Sequence, residues 1–372
     1  MIVALAAIAL TQQGSFFART FPNPTGNNGW EEYLMAADIA RIRNSTSLLM
    51  GNAELSRLKN DQALVRELKR ALDLVRIGNR KPLSYPFTYA DFSIGPFVEL
   101  AQIKQLGQAL VAEALVKSAD GEPKAATRAI SDAFVLSRRI AVGPRTSGMV
   151  SIAMQAIALS ALSMNLNRLD EESLETLAEL FGKTALEPSP MIEMYFQEFE
   201  EWSRIVPDML SQPEEFAMVD QVPPAVLNLK AAEIEAVTQK VLVAMKTIRE
   251  SARAMFSRQE RFWLEPKREH EDAAVAFVLD NLPGAFIHII VRNLTQLRLA
   301  EVHCRLMLYK RRSNNYPARL FDLGDERLAY DRTTGGPYYY ARLSDQSYTL
   351  YSLGTSETGR IDLIYRPERD GN

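Results

Sequence analysis

The sequence contains few residues of the types that form cross-links or metal centres. It has one cysteine, Cys304, so no disulfide can form within the chain. Its histidines are His270, His288 and His303, and none stands in the His-x-x-x-His or Glu-x-x-His spacing that brings two ligands to one helix face. Because Cys304 lies on the apolar side of a predicted helix, we expect a buried, unreactive thiol.

The chain also lacks a strong excess of charge and, after its first residues, an uninterrupted apolar run. Its 43 basic and 46 acidic side chains give a net charge of -3, so the charge does not favour binding to nucleic acid. The apolar stretch 275–291 is interrupted by Asp280, Asn281, Pro283 and Gly284. We therefore expect contact with a membrane only through the N-terminal segment.

Several short patterns resemble catalytic or binding motifs without meeting their requirements. A phosphate loop ending at Gly182-Lys183-Thr184 would need a glycine at Leu177. The segment 354–359 lacks the Gly-x-Ser-x-Gly spacing of a nucleophile elbow. His270 lies among acidic residues that suit a solvated helix start better than a metal corner. The sequence thus predicts no catalytic, cofactor-binding or metal-ligating residue, and an enzyme is not the favoured class.

The first 28 residues have their own composition. Met1 to Leu10 is almost wholly apolar, which is too short for a membrane-spanning helix but fits the apolar core of a secretory signal. Residues 11–28, rich in Gly, Asn and Pro, predict a linker. We expect a bacterial protein that is exported or associated with the cell envelope. If the apolar run is instead a buried helix, the protein is cytoplasmic.

Helical spacing of apolar residues predicts a helical domain over 29–284. The first helix, Trp30 to Ile42, has Asn27 or Asn28 as its cap, and Asp61 is predicted to cap a second helix that ends near Gly78. Three closely connected helices are predicted over 97–169.

Four further features complete this domain. Pro123 is predicted to open the middle helix of the three, because its missing N–H is not needed there. The turns between these helices resemble those of tetratricopeptide-type hairpins, although no clean 34-residue period is present. Another helix is predicted to start at 170–173, and a single long helix is predicted from Pro224 to about Phe256.

The C-terminal region, 285–372, is predicted to hold a long helix followed by a small sheet. Apolar residues recur at helical spacing over 293–312, and Gly324 is predicted to end a short helix that follows. After a turn at 331–337, the segments 338–343 and 348–353 predict two antiparallel strands. Since an isolated hairpin is marginal in water, we expect it to lie on the preceding helix.

This region resembles the C-terminal segment of type II secretion major pseudopilins. It is still more similar to exported helical proteins of planctomycete-like bacteria, whose function is not established. The positions that carry the resemblance are Tyr316-Pro317, Leu320, Leu323, Asp331, Thr334-Gly335, Pro337-Tyr338, Tyr340 and Leu350 to Gly354. In that pattern a proline and an aromatic residue usually follow the aspartate, where this chain has Arg332 and Thr333.

Two site hypotheses concern this tail. The pseudopilin resemblance implies calcium near the C-terminal loop, for which the chain offers Ser356, Glu357 and Asp362, with Asp331 nearby; this is fewer oxygens than calcium usually binds. Alternation along the strands places Tyr339 and Tyr351 on the face away from the helix. Because tyrosine is enriched in protein contacts, we expect these two rings to contact a protein partner.

The sequence as a whole predicts a mainly α protein, a multi-helix bundle with tetratricopeptide-like hairpins and a small C-terminal antiparallel β-hairpin. The favoured function is a non-enzymatic exported or envelope-associated interaction or scaffold protein. An enzyme with a site in an inter-helix groove is the alternative, and a pseudopilin-like assembly subunit is a second alternative. The last would need a longer apolar helix than Met1 to Leu10 provides.

Overall fold

Helices make up most of the chain that the computed structural model describes. It describes residues 15, 18, 20–42, 54–84, 97–141, 145–187, 192, 203–213, 224–257, 273–281, 285–331, 334–354 and 361. Two compact units lie within Met1–Leu180 and Phe181–Leu363. The described strands are short antiparallel pairs near the C-terminus, which confirms the predicted mainly α class with a small C-terminal hairpin.

The first unit contains five consecutive packed helices. They are α1 (Gly29–Ile42), α2 (Glu54–Gly78), α3 (Phe97–Ala119), α4 (Pro123–Ile140) and α5 (Arg145–Asn165). Each of the first three packs on the next helix and on the one after it, and α4 packs on α5. This order of contacts buries the apolar faces of neighbouring helices against one another, with Trp30, Phe134 and Leu68 among the fully buried side chains.

Helix starts in this unit follow local chemistry that is visible in the sequence. Asn28 Oδ1 accepts a hydrogen bond from Trp30 N at 3.2 Å, and Pro123 stands at the first position of α4. After the short 3₁₀ helix Leu166–Arg168, Asp170 Oδ1 accepts from Ser173 N at 2.9 Å and caps α6 (Glu171–Leu186). The predictions for Asn28 and Pro123 are confirmed.

An ionic network joins three helices of the first unit. Arg76 of α2 donates from Nη2 to Glu113 of α3 at 2.5 Å and from Nε to Asp132 of α4 at 2.9 Å. It also donates to Asp73, one turn earlier on α2, at 3.3 Å. These opposite charges raise the pKa of Arg76 against the opposing effect of burial. The network therefore fixes the relative positions of α2, α3 and α4.

Among the described residues, the segment Thr146–Arg168 is long and apolar enough to cross a membrane, with a mean hydropathy of 1.6 in its most apolar window. The sequence analysis expected no stretch after the N-terminal residues to have the length and hydropathy of a membrane span, and this segment has both. Half of that window is buried inside the fold, which is also the property of a core helix.

The second unit contains four named helices after the end of α6, and a further helical stretch at 203–211. They are α7 (Pro224–Leu227), α8 (Ala231–Ser257), α9 (Ala273–Asn281) and α10 (Ala285–Ser313). Helix α10 is followed by two 3₁₀ helices, Leu320–Leu323 and Glu326–Leu328. Gly324 ends the first of them with a φ of 81°, as predicted.

The strands follow these 3₁₀ helices as two antiparallel pairs. They are β1 (Tyr330–Asp331) with β2 (Gly336–Pro337), and β3 (Tyr339–Arg342) with β4 (Tyr348–Tyr351). In the second pair Tyr339 stands opposite Tyr351 and Arg342 opposite Tyr348. This pair is slightly shorter than the predicted strands, and the β1–β2 pair was not predicted. A bridge between Ser352 and Ile361 continues beyond β4.

Three predicted helix boundaries were wrong. Helix α2 begins at Glu54, so Asp61 lies inside it rather than at its cap; the segment 54–60 has no Gly or Pro to stop a helix. The long helix predicted from Pro224 is broken at 228–230, where Glu233 accepts from Lys230 N at 2.8 Å and starts α8 afresh. Helix α10 begins at Ala285, eight residues before the predicted start.

Candidate interaction surface

The β3–β4 hairpin has one face turned towards the rest of its unit. Tyr348 and Leu350 of this inner face are buried, as are the flanking Tyr338 and Ser352. Alternation along a strand places these side chains on one side of the pair. The hairpin is therefore a packed part of the second unit and not an extended arm.

The inner face contacts α10 through a histidine and two tyrosines. His303 Nδ1 lies 2.5 Å from Tyr348 Oη, and the Tyr348 ring meets the Tyr316 ring edge-on at 4.5 Å between centroids. The Tyr316 hydroxyl donates to Met307 Sδ at 3.1 Å. Burial lowers the pKa of His303 to about 3, so the imidazole is neutral at pH 7.

Two further hydrogen bonds tie the hairpin to the Tyr-Pro corner that follows α10. The Tyr340 hydroxyl donates to the carbonyl of Pro317 at 2.7 Å, and Arg342 Nη1 donates to the carbonyl of Tyr316 at 3.0 Å. Burial raises the pKa of Tyr340 to about 12. The predicted docking of the hairpin on the preceding helix is thus accounted for by named contacts.

The opposite, outer face of the hairpin is uncharged. It is formed by Tyr339, Ala341 and Leu343 along one strand and by Thr349, Tyr351 and Leu353 along the other. The Tyr339 and Tyr351 rings are stacked at 4.5 Å between centroids and 21° between planes. Tyr339 is 46% exposed and Leu343 is 66% exposed, while Tyr351 is half-buried.

Another aromatic pair is exposed in the same unit. Phe321 and Tyr330 are both exposed and meet edge-on at 5.8 Å between ring centroids. Large apolar side chains are therefore exposed repeatedly over 321–353. A cluster of exposed apolar residues is typical of a surface that binds a partner. The sequence predicted Tyr339 and Tyr351 for such a surface, and the structure brings these two rings together.

The aspartate proposed as a calcium ligand, Asp331, has hydrogen bonds within the fold. Its Oδ2 accepts from Ser352 Oγ at 2.5 Å and from Thr334 Oγ1 at 3.0 Å, and the residue has no solvent exposure. The other proposed ligands, Ser356, Glu357 and Asp362, lie outside the described residues. In the part of the chain that the structure describes, no group of three or more His, Cys, Asp or Glu side chains is placed to hold a metal ion.

A buried ion pair on α10 was missed by the sequence analysis. Arg298 donates to Glu301, and both side chains are buried. The Glu301 carboxylate lies directly over the backbone of Gly182 in α6, where an added methyl group would collide with it. Gly182 therefore serves close packing inside a helix, which agrees with our exclusion of a phosphate loop at this position. The separation in sequence gave no signal for this contact.

The cysteine and the other two histidines complete the set of candidate reactive residues. Cys304 is fully buried, and burial raises the pKa of its thiol, as predicted for an unreactive cysteine. His270 lies outside the described residues. His288 lies on α10, where only its backbone is described.

Protein-family models, curated proteins and solved structures were all compared with this chain, and none of them matches it.

Proposed function

We propose that this protein is a non-enzymatic interaction or scaffold protein, exported or associated with the cell envelope, that contacts a protein partner through the outer face of its C-terminal hairpin. The observation that carries the proposal is the stacked pair of the exposed Tyr339 and the half-buried Tyr351 on an uncharged strand face. Aromatic side chains on such a face offer a large apolar contact area with few rotatable bonds.

The bonding of the buried ionisable groups in the second unit also supports a non-catalytic role for them. His303 bonds to Tyr348, Glu301 is paired with Arg298, and Asp331 accepts from Ser352. His303 and Asp331 thus join different elements of the fold, and the Glu301 pair lies within α10. A catalytic acid or base would need to reach a substrate instead.

Site-specific photo-crosslinking in the native host tests the proposed contact. A benzophenone side chain replaces Leu343 on the outer face or, as a matched control, Val243 on α8, because both residues are 66% exposed. We expect a discrete crosslinked species from position 343 that is lost when Tyr339→Ala is added, and no such species from position 243. Equal products from both positions, or none from 343, would contradict the proposal.

Export is tested separately by fractionation and N-terminal sequencing of the protein from its host. We expect the protein in the envelope or extracellular fraction, with the apolar residues 1–10 removed. Recovery of an intact N-terminus in the cytoplasmic fraction would contradict export and favour a buried N-terminal helix. The proposed partner contact does not depend on this result, because the crosslinking experiment tests it separately.

A further inference from the structure

The contact between α10 and the hairpin has a titratable group at its centre. His303 is 2% exposed, its ring centroid lies 5.5 Å from that of Tyr348, and its Nδ1 faces the Tyr348 hydroxyl. The Tyr316 ring also packs edge-on against the Tyr348 ring. The docked arrangement therefore buries the imidazole of α10 against the Tyr348 ring, a place where a positive charge is costly.

Several charged residues lie on α10 together with His303. On α10, Glu301 is paired with Arg298, and Lys310 lies over the Tyr316 ring at 5.0 Å; Arg305, also on α10, is half-buried.

Charged residues on the hairpin and on β1 also bond to groups other than His303. On the hairpin, Arg342 donates to the carbonyl of Tyr316, and on β1 the carboxylate of Asp331 accepts from Ser352 and Thr334. A proton on His303 would place a cation against the Tyr348 ring, while the carboxylates of Glu301 and Asp331 already accept from other donors.

We propose that protonation of His303 releases the C-terminal hairpin from α10, so that acid uncovers the inner face that carries Tyr338, Tyr348 and Leu350. Tyr316, which is fully buried in the docked state, is uncovered with them. The proposed change is local to the contact of α10 with the hairpin and the Tyr-Pro corner. It does not depend on the proposed partner contact.

The direction of the effect follows from linkage. Burial holds the pKa of docked His303 at about 3, below its ordinary value of 6.5. The released state therefore binds more protons over this range, and docking weakens as pH falls below 6.5. Between these two values the ratio of released to docked hairpin rises about tenfold for each pH unit.

Hydrogen exchange of the full-length protein, corrected for the intrinsic pH dependence of amide exchange, tests this release. The measurement covers pH 7.5 to 4.5. Below pH 6.5 we expect the protection of Tyr339–Arg342 and Tyr348–Tyr351 to fall about tenfold for each pH unit, while the protection of α3 is retained. In His303→Gln, which keeps a neutral hydrogen-bonding side chain, the hairpin protection should be independent of pH.

Three results would overturn the proposal. They are constant hairpin protection in the wild type, the same slope in His303→Gln, and a parallel loss of protection in α3, which would indicate global unfolding. If His303→Gln does not fold, the NMR titration of His303 in the wild-type protein decides the matter. A histidine that titrates at 6.5 with the hairpin still protected contradicts release, and one that becomes protonated together with loss of hairpin protection supports it.

Discussion

The junction of α2, α3 and α4 and the junction of α10 with the hairpin are held together by different forces. The first is centred on Arg76, which binds Glu113 and Asp132 with all three side chains partly accessible to water. The second is centred on Tyr316 and Tyr348, which are buried uncharged rings that bond to Met307 and His303. One junction depends on paired charges and the other on packed volume.

This difference determines what each junction can tolerate. Removing Arg76 leaves the carboxylates of Glu113 and Asp132 without their cation. Because these groups are partly accessible, water can solvate them and offset part of the lost free energy. Removing a ring from the neutral cluster leaves a cavity that the surrounding structure fills only in part. We therefore expect truncation of the neutral cluster to have the larger effect on stability.

Tyr316→Ala should have the largest effect. The ring is fully buried against Tyr348 and Met307, so its removal should lower the free energy of unfolding of the second unit by about 4 kcal/mol. Urea denaturation followed by circular dichroism measures the change. The control Tyr316→Phe removes only the hydroxyl and should cost less than about 1 kcal/mol. Equal losses in the two variants would argue against cavity formation as the cause.

Arg76→Met should have a smaller effect, a loss of about 2 kcal/mol, because Glu113 and Asp132 are left without their common cation. The matched control is Lys69→Met, which breaks an exposed pair with Asp73 on the same helix and should cost less than about 0.5 kcal/mol. Thermal unfolding of both variants at low and high salt measures the difference. The comparison fails if Arg76→Met is no worse than Lys69→Met.

Gly78→Ala tests the close packing of α1 on α2. A methyl group at this position would lie 2.6 Å from Cε1 of Tyr33, a ring that cannot shift without disturbing the core, so we expect a loss of about 1.5 kcal/mol. Gly107→Ala is the control, because its methyl group would meet the flexible end of Met154. Its stability should change by less than about 0.5 kcal/mol. Similar melting temperatures for the two variants would count against a rigid contact at Gly78.

Tyr339→Ala should have the smallest effect on stability, a loss of about 0.5 kcal/mol from the cross-strand pair with Tyr351. The ring is largely exposed, so little apolar area is lost on mutation. The same denaturation experiment measures this value beside the crosslinking test of partner contact. A loss as large as that of Tyr316→Ala would mean that the outer face is part of the core.

Local sequence signals predicted part of this molecule correctly. Asn28 caps α1, Pro123 opens α4 and Gly324 ends a short helix because each acts on its own backbone or that of its immediate neighbours. The alternation of the tyrosines predicted the two faces of the hairpin for the same reason. Asp61 was assigned to a helix start wrongly, because a good capping residue can also lie inside a helix when no breaker precedes it.

Contacts between distant residues had no such signal. Arg76 meets Asp132 across 56 positions, His303 meets Tyr348 across 45, and Gly182 faces Glu301 from another helix. Which arginine, histidine or glycine takes part depends on how the helices cross, and periodicity alone fixes only the face on which a side chain lies.

The sequence by itself determined the helical class, most of the helix ends and the alternating faces of the C-terminal strands. These properties arise from backbone preferences and from the spacing of apolar residues within a few positions. Only the tertiary structure decided that His303 is buried against Tyr348 and that Asp331 bonds to Ser352. Burial and pairing of a side chain depend on elements far away in the chain, so they exist only once those elements have packed.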